Sequence, residues 1–328
     1  MYGFKEFLFF GGDSDYYHSF AIGEISGEPA NVWPVILKAL NEIGMYSRDV
    51  VSYFMMSLSL IFIPLILSAI VWGISRSITL TVFIFLYSSI YPTQFLYSFD
   101  IYRDIFMIFV FLSSVYFLYI INLKVELEKK MLSSIALAVT ITGLVLLRPY
   151  LGLSVLVALF YFVIFSNKKM FKWFFPLYVI SVLGLFYFNF FDLLLTYRHS
   201  FSEMKGGSNL NLTMGGGGLI SFSWLFIKSY FYQVFGVYII DLKTSIIFTV
   251  ESLPIVLSLF YVMANRAYVD RLAITLIVFF LVYNTVWVIG NDNFGTGMRL
   301  RIYSYYAMLI CMVIVCKNKQ NNKAISGV

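Results

Sequence analysis

Residues 132–166, LSSIALAVTITGLVLLRPYLGLSVLVALFYFVIFS, consist of two apolar runs that are separated only by Arg148 and Pro149. The two runs are close in length to the ~17–25 residues that an α-helix needs to cross the hydrocarbon core of a bilayer. Pro149 suits the first position of a helix, where a backbone N–H has no partner in any case. The stretch therefore predicts two membrane-spanning helices that are joined by a very tight turn.

Similar apolar runs recur along the 328-residue chain, in which 60% of the residues are hydrophobic and only 12% are charged. In a soluble domain about a quarter of the residues are charged, so this composition indicates a membrane protein. The predicted fold class is an all-α, polytopic membrane protein with one membrane domain over residues 1–328. We predict nine spans, at residues 51–73, 77–97, 105–122, 132–147, 150–166, 173–191, 244–264, 273–290 and 302–316.

Two further segments are predicted to lie at the membrane surface. Segment 219–240 is apolar but contains Lys228, Gln233 and Gly236, so we predict a re-entrant or interfacial helix there. Segment 29–48 has apolar residues at helical spacing together with charged residues, which predicts an amphipathic helix on the outer surface.

The basic loops predict which side of the membrane is cytoplasmic. With nine spans, more than half of the 23 Lys and Arg residues fall on one side, at Arg76 and in the loops 124–130, 166–172, 265–271 and 317–323. The positive-inside rule makes this side cytoplasmic and places the C-terminus there, while segment 1–50 and loop 192–218 lie outside. The net charge of +6 reflects these basic loops and gives no support for nucleic-acid binding.

Charged residues at the ends of the apolar runs are predicted to gather at the outer face. The set comprises Asp13, Asp15, Arg103, Asp104, Arg148, Arg299 and Arg301. Acids and arginines at one membrane face are typical of a site for an anionic substrate that is carried by a lipid.

The densest polar cluster is GGDSDYYH, residues 11–18. Its two carboxylates, Asp13 and Asp15, together with Tyr17 and His18, suit a general base, a binding site for sugar hydroxyls or a divalent-cation site. The alternative is a solvated loop, because two acids at this spacing are not specific.

Three charges lie where apolar runs begin or end. Arg148 has little room to be a mere surface charge in its tight turn, and a guanidinium can pair with a phosphate through two hydrogen bonds. The alternative for Arg148 is a boundary arginine that extends towards water. Arg103 is a candidate for substrate binding, and Asp104 is a candidate either for the site or for stabilising a helix N-terminus.

The loop NDNFGTGMRLR, residues 291–301, follows a predicted span and contains Arg299 and Arg301. Two arginines can neutralise a diphosphate, and the alternative is a polar turn with two interfacial arginines. Arg198, in loop 192–218, is a weaker candidate. Glu251 lies inside an apolar run, either as a structural carboxyl bonded to a neighbouring helix or as an acid that faces the site.

The order of these motifs resembles bacterial surface-polysaccharide repeat-unit polymerases, the O-antigen polymerases of the Wzy type. Those enzymes are similar in plan to GT-C membrane glycosyltransferases, so the resemblance implies a GT-C-like fold in the bacterial inner membrane. It implies an enzyme that joins undecaprenyl-diphosphate-linked oligosaccharides at the outer face. It also implies the lipid-linked oligosaccharides and the bilayer as partners, together with a chain-length regulator and a flippase of the same pathway.

The resemblance implies roles for residues as well. Asp13 or Asp15 takes the proton of the attacking hydroxyl, with Asp292 in reserve, while Tyr17 and His18 hold sugars. Arginines stabilise the diphosphate, which requires no metal or other cofactor. The further candidates for substrate binding are Arg103, Arg148, Tyr150, Arg198, Arg299 and Arg301.

Two other functions stay open on the sequence. A GT-C enzyme that moves one sugar from a polyprenyl phosphate needs the same charges, and its acidic pair could hold a divalent cation. A flippase or transporter of lipid-linked sugars predicts charges at mid-depth, and within the apolar segments we find only Lys228 and Glu251. No nucleotide-binding motif and no His/Cys cluster with metal-ligand spacing is present in the sequence.

Overall fold

The computed structural model describes residues 12–123, 126–164, 168–203, 209–214 and 217–326. Within these residues the chain is helical and contains no strand, which confirms the all-α class. The helices are α1 Asp13–Ala21, α2 Val32–Glu42, α3 Arg48–Ser75, α4 Ile78–Ser89, α5 Pro92–Tyr97, α6 Arg103–Asn122, α7 Leu127–Leu147, α8 Pro149–Ile164, α9 Lys168–Tyr187, α10 Asp192–Glu203, α11 Leu219–Gln233, α12 Leu242–Ala264, α13 Arg271–Gly290 and α14 Phe294–Ser326.

Among the described residues, six helices are long and apolar enough to cross a membrane, which confirms a polytopic membrane protein. These six are α3, α6, α7, α12, α13 and α14. Helices α9 and α10 pass the same test as one pair, bent by 75° at a short break, and α4 and α8 are apolar but shorter. The predicted spans correspond to these six helices together with α4, α8 and α9, and the count of nine stays a prediction.

Local sequence signals explain where several helices begin. Pro149 is the first residue of α8, and Arg148 alone separates it from the end of α7, as the sequence predicts. Asn31 caps α2 through a hydrogen bond from the Trp33 amide, at 3.0 Å. Such caps satisfy amide groups that the first turn of a helix leaves without a partner.

The chain divides into two compact units, Met1–Gly152 and Leu153–Val328. In the first unit α6 packs along α7, α3 packs along α4, and α1 packs on α2. The predicted amphipathic helix forms as α2, but Trp33 is buried against the protein. Its indole N–H donates to the Ile101 carbonyl oxygen at 2.9 Å, and its ring stacks on Phe106.

In the second unit α13 and α14 form an antiparallel pair, with α12 against α14 and α10 against α13. Helix α11 has 15 residues and is not among the helices that could cross a membrane. Its Phe222 shares a buried cluster with Ile289, whereas its Gln233 donates to the Asn291 carbonyl oxygen at 2.9 Å. Both parts of α11 thus meet the same end of α13, so α11 lies across that end, as an interfacial helix does.

The predicted loop 192–218 is partly helical, because α10 occupies Asp192–Glu203. Residues 204–208 and 215–216 of this segment lie outside the described residues, as do residues 1–11 of the predicted outer N-terminal segment. Leu195 and Arg198 explain the helix, since both point into the core of the second unit at a spacing of three residues.

Candidate functional site

In the first unit, the acidic motif is the first turn of α1. Asp13 and Asp15 are exposed there, whereas Ser14 and Tyr17 are buried, so one face of α1 packs on the protein while the two carboxylates stay accessible to solvent. Carboxylates in the first turn also suit the positive end of the helix dipole.

Arg48, at the start of α3, links α1 to the loop before α6. Its guanidinium makes two hydrogen bonds to the Asp100 carboxylate, Nε to Oδ1 at 3.0 Å and Nη2 to Oδ2 at 2.7 Å. Nη2 also donates to Asp15 Oδ1 at 2.7 Å and to the Ser14 hydroxyl at 3.3 Å. Asp15 therefore forms an ion pair with Arg48. The carboxylate of Asp100, which pairs with the same guanidinium, is almost fully buried.

Arg148 lies in the one-residue link between α7 and α8 and points inward. It is 7% exposed, and its Nη2 pairs with Oδ1 of Asp104 at 3.1 Å. Arg103 donates from Nη1 to the Leu147 carbonyl oxygen at 3.0 Å and stays partly exposed. The predicted charges Arg103, Asp104 and Arg148 are thus gathered at one end of the α6–α7 pair.

The Tyr17 hydroxyl of α1 lies within electrostatic reach of this end of the α6–α7 pair. Burial raises the pKa of Tyr17 above its ordinary value, and the charges of Arg103, Asp104, Asp13 and Arg148 also act on this hydroxyl. Charges from three motifs that are far apart in the sequence therefore act on one buried hydroxyl. We call Asp13, Tyr17, Arg103, Asp104 and Arg148 the carboxylate–arginine cluster.

Two other predicted residues of this unit lie beside the cluster. His18 Nδ1 is 2.9 Å from the Tyr46 hydroxyl, and burial raises the pKa of Tyr46 to about 12. The Arg148 guanidinium lies over the Tyr150 ring at 5.7 Å from its centre, a geometry that favours a cation–π contact.

In the second unit, Arg198 and Asp292 form a buried ion pair. Both are 2% exposed, and Nη2 of Arg198 is 2.5 Å from Oδ1 of Asp292. Protein acceptors engage all five N–H groups of this guanidinium: the carbonyl oxygens of Leu212, Val288 and Asn291, the Ser229 hydroxyl and the Asp292 carboxylate. Through these contacts Arg198 of α10 joins segment 209–214 and loop 291–293 to α11 and to the end of α13.

Asp292 is part of the same structural arrangement. The Leu212 backbone N–H lies 3.3 Å from both carboxylate oxygens of Asp292. Burial raises the pKa of Asp292 above its ordinary value, although the positive charge of Arg198 acts to lower it. The side-chain amide nitrogen of Asn291 donates to Gln233 Oε1 and to the Asn293 carbonyl oxygen. Loop 291–293 is therefore fixed by its polar side chains, and these contacts favour a scaffolding role for Asp292 over the reserve catalytic role.

Arg301 and Glu251 form a second buried ion pair in this unit. Both side chains are 0% exposed, and Nη2 of Arg301 lies 3.1 Å from Oε2 of Glu251. Glu251 lies in a π-helical turn of α12, Phe248–Ser252, and the Tyr305 hydroxyl donates to the Val234 carbonyl oxygen beside it. Of the two predicted roles for Glu251, this geometry fits the structural carboxyl bonded to a neighbouring helix.

Arg299 differs from Arg301 because its side chain is only partly buried. Its Nη2 lies 3.5 Å from the Thr296 hydroxyl of the same helix. Arg299 therefore stays a candidate for substrate binding, whereas Arg301 and Arg198 are enclosed by protein groups.

Arg48 and Asp100 are site residues that the sequence reasoning missed. Asp100 lies three residues before Arg103 in the same predicted outer loop, which was the available signal. Nothing in the sequence indicates that Arg48, 52 positions earlier, is its partner. In the part of the chain that the structure describes, no group of three or more His, Cys, Asp and Glu side chains is arranged to hold a metal ion.

The fold and these clusters define a multi-pass, α-helical membrane protein with several buried ion pairs. We compared the chain with protein-family models, with curated proteins and with solved structures, and none of these three comparisons finds a match.

Proposed function

We propose that this protein is a membrane glycosyltransferase that polymerises undecaprenyl-diphosphate-linked oligosaccharide repeat units of a bacterial surface polysaccharide. The reaction takes place at the outer face of the inner membrane. The observation that carries the proposal is the carboxylate–arginine cluster, in which an exposed carboxylate and two arginines act on one buried tyrosine hydroxyl, with the arginines at the end of a pair of apolar helices.

The reaction needs a base and a cationic site for the leaving group. A hydroxyl of the acceptor's terminal sugar attacks the anomeric carbon of the donor, and a new glycosidic bond forms. The bond between that carbon and the diphosphate oxygen breaks, and the electron pair leaves with undecaprenyl diphosphate. Asp13 accepts the hydroxyl proton, and the developing diphosphate charge is stabilised by nearby arginines.

We assign the base to Asp13 because it belongs to the carboxylate–arginine cluster, whereas Asp15 pairs with Arg48 at 2.7 Å. Asp13 is exposed, and its charge acts on Tyr17 together with that of Arg103. Of the two arginines, Arg103 is the more accessible to a diphosphate, while Arg148 is buried and paired with Asp104.

The test is the distribution of polymer lengths in cells that depend on this protein. Asp13→Asn keeps the size of the side chain but removes the base, so we expect at least a ~100-fold loss of the polymer, the usual contribution of a general base. Lipid-linked or acceptor-linked single repeat units should accumulate. The matched control is Asp49→Asn, which removes another exposed first-turn carboxylate of the same unit and should leave the ladder unchanged.

An unchanged ladder in Asp13→Asn, with the protein present in the membrane, contradicts the assignment of the base. The identity of the accumulating product tests the reaction itself. A complete single repeat unit fits a polymerase, whereas an incomplete unit shows transfer of one sugar and contradicts polymerisation.

A further inference from the structure

Arg48 directly contacts two segments that lead to groups of the proposed site. Its Nη2 donates to Asp15 Oδ1 at 2.7 Å and to the Ser14 hydroxyl at 3.3 Å, both in the first turn of α1. Its Nε and Nη2 also donate to the two carboxylate oxygens of Asp100, in the loop before α6. A guanidinium suits such a bridge, because its N–H groups point in fixed directions towards several acceptors at once.

The Asp100 end of this bridge is fixed by buried hydrogen bonds. Oδ1 of Asp100 also accepts from the Ile101 backbone N–H at 2.9 Å. The Ile101 carbonyl oxygen in turn accepts from the indole N–H of the buried Trp33. Arg103 begins α6 two residues after Ile101. Arg48 is therefore attached to a well-anchored loop that leads directly into Arg103.

The Asp15 end of the bridge lies at the surface. The side chain of Asp15 is 59% exposed, whereas that of Asp100 is 3% exposed. Asp13 lies two residues before Asp15 in the same turn of α1. Through the contact with Asp15, Arg48 therefore determines where this turn, and Asp13 with it, lies relative to the loop before Arg103.

The rest of α1 has attachments of its own. α1 packs on α2, its Phe20 is buried, and His18 Nδ1 lies 2.9 Å from the Tyr46 hydroxyl. At its start, Gly12 has no side chain that could cap the first turn. Loss of the contact with Arg48 should therefore leave α1 folded on the protein and free only its first turn.

We infer that Arg48 is a positioning residue, which fixes Asp13 relative to Arg103 by joining the first turn of α1 to the loop before α6. The inference rests on the proposed function, because that function makes Asp13 the base and Arg103 part of the diphosphate site. A base must lie within hydrogen-bond reach of the hydroxyl whose proton it takes. Arg48 acts on the reaction only through Asp15 and Asp100.

The competing role for Arg48 is to neutralise the buried carboxylate of Asp100. That role is purely structural and needs no contact with Asp15. Asp15→Ala therefore separates the two roles, because it removes the link to α1 and leaves the pair with Asp100 intact. Since Asp15 is exposed, its removal should have little effect on the stability of the whole protein.

The first measurement is hydrogen–deuterium exchange of the full-length protein in nanodiscs, which needs no substrate. Asp15→Ala should raise the exchange rate of amides in α1 by about fivefold, the upper range for an ion pair with an exposed partner. Arg48→Lys should do the same, because lysine lacks the planar fork that reaches both carboxylates. The matched controls are Asp49→Ala, an exposed first-turn carboxylate of α3, and Arg76→Lys, just after the other end of α3. Both should leave exchange in α1 unchanged.

The second measurement is the rate of polymer formation by the reconstituted protein from a single repeat unit linked to undecaprenyl diphosphate. Asp15→Ala should lower kcat by about tenfold, because a misplaced base loses rate although it is chemically intact. KM should stay unchanged, since the arginines that bind the diphosphate are still present. The double variant with Arg48→Lys should lose no more than the larger single effect, because both substitutions break one contact. Asp15→Ala alone decides the test if Arg48→Lys folds poorly.

Unchanged exchange in α1, or an unchanged kcat in Asp15→Ala, overturns the inference and leaves Arg48 with the structural role alone. A loss of about 100-fold or more in Asp15→Ala also overturns it, since Asp15 is then the base itself. The two proposals fail separately. An original protein that makes no polymer contradicts the proposed function, whereas an active polymerase that is insensitive to Asp15→Ala contradicts only the inference.

Discussion

Arg148 illustrates how a single residue can be both structural and functional. Its guanidinium is buried in the link between α7 and α8 and is paired with Asp104. Removing one partner of a buried pair typically lowers stability by about 3–5 kcal/mol, because the other charge stays buried without compensation. A loss of activity in a single Arg148 variant therefore has two physical explanations, and one variant alone does not separate them.

A double substitution separates these explanations. Arg148→Ala should lower the thermal stability of the purified protein, and adding Asp104→Ala should restore much of it, because no uncompensated charge is left. Polymer formation should stay lost in the double variant, since one of the two arginines of the cationic site is still absent. Thermal unfolding in detergent and the polymer ladder measure the two effects.

Recovery of the ladder in the double variant would show that Arg148 only neutralises Asp104, which contradicts its role towards the diphosphate. Arg103→Gln serves as the comparison in the same assays. Arg103 donates to a backbone carbonyl and is partly exposed, so this substitution should reduce polymer with a smaller effect on stability.

At the scale of residues, the sequence predicts which side chains are candidates for a site better than it predicts the residues they pair with. Arg148 stands out because apolar runs flank it on both sides, and the structure does enclose it. Its partner Asp104 is 44 positions earlier, and Arg48 and Asp100 are 52 apart, so neither pair follows from local sequence. Arg198 and Arg301 have the same residue type as Arg299, and only burial distinguishes them.

At the scale of elements, the turn after α11 supports the buried Arg301–Glu251 pair. Gly236 has a left-handed backbone, with φ of 65°. A Cβ at this residue would lie 2.4 Å from Arg301 Nη1 and 2.4 Å from the Ser252 hydroxyl oxygen. Only glycine lets the chain pass this close to the guanidinium while adopting that conformation.

Gly236→Ala should therefore destabilise the second unit by more than about 1 kcal/mol, since strain and a steric clash act together. The matched control is Gly184→Ala in α9, where an added Cβ meets no atom within 4 Å. Alanine favours a helix over glycine by about 1 kcal/mol, so the control should be neutral or stabilising. Thermal unfolding of the two purified variants makes the comparison, and equal midpoints would contradict the close packing at Gly236.

The sequence predicts helices well where a long apolar run specifies them, and less well where no such run is present. The one-residue link at Arg148 follows from Pro149, and α11 is excluded as a span by its polar residues. α10 was predicted as part of a loop because only part of its surface is apolar, and Leu195 is buried by contacts that the sequence does not reveal. The turns of π-helix in α3 and α12 are not predicted from the sequence, although each ends two residues before a proline, Pro64 or Pro254, which disturbs the preceding helical turn.

At the scale of the whole molecule, the proposed function depends on which face of the membrane the charged clusters lie at. The first unit gathers Asp13, Arg103, Asp104 and Arg148 in one cluster, so these four share one end of their helices. In the second unit, loop 291–293 and Arg299 lie at the end of α13 that α11 crosses. That both ends face the outside follows from the positive-inside rule and stays a prediction.

The proposed polymerase activity is tested by reconstituting the purified protein in liposomes with a single repeat unit linked to undecaprenyl diphosphate. Mass spectrometry of the lipid-linked products then reports chain length. We expect a series of products that differ by whole repeat units, one undecaprenyl diphosphate released for each bond formed, and loss of both in Asp13→Asn. Product chains that never exceed one repeat unit, or an Asp13→Asn variant as active as the original protein, would contradict it.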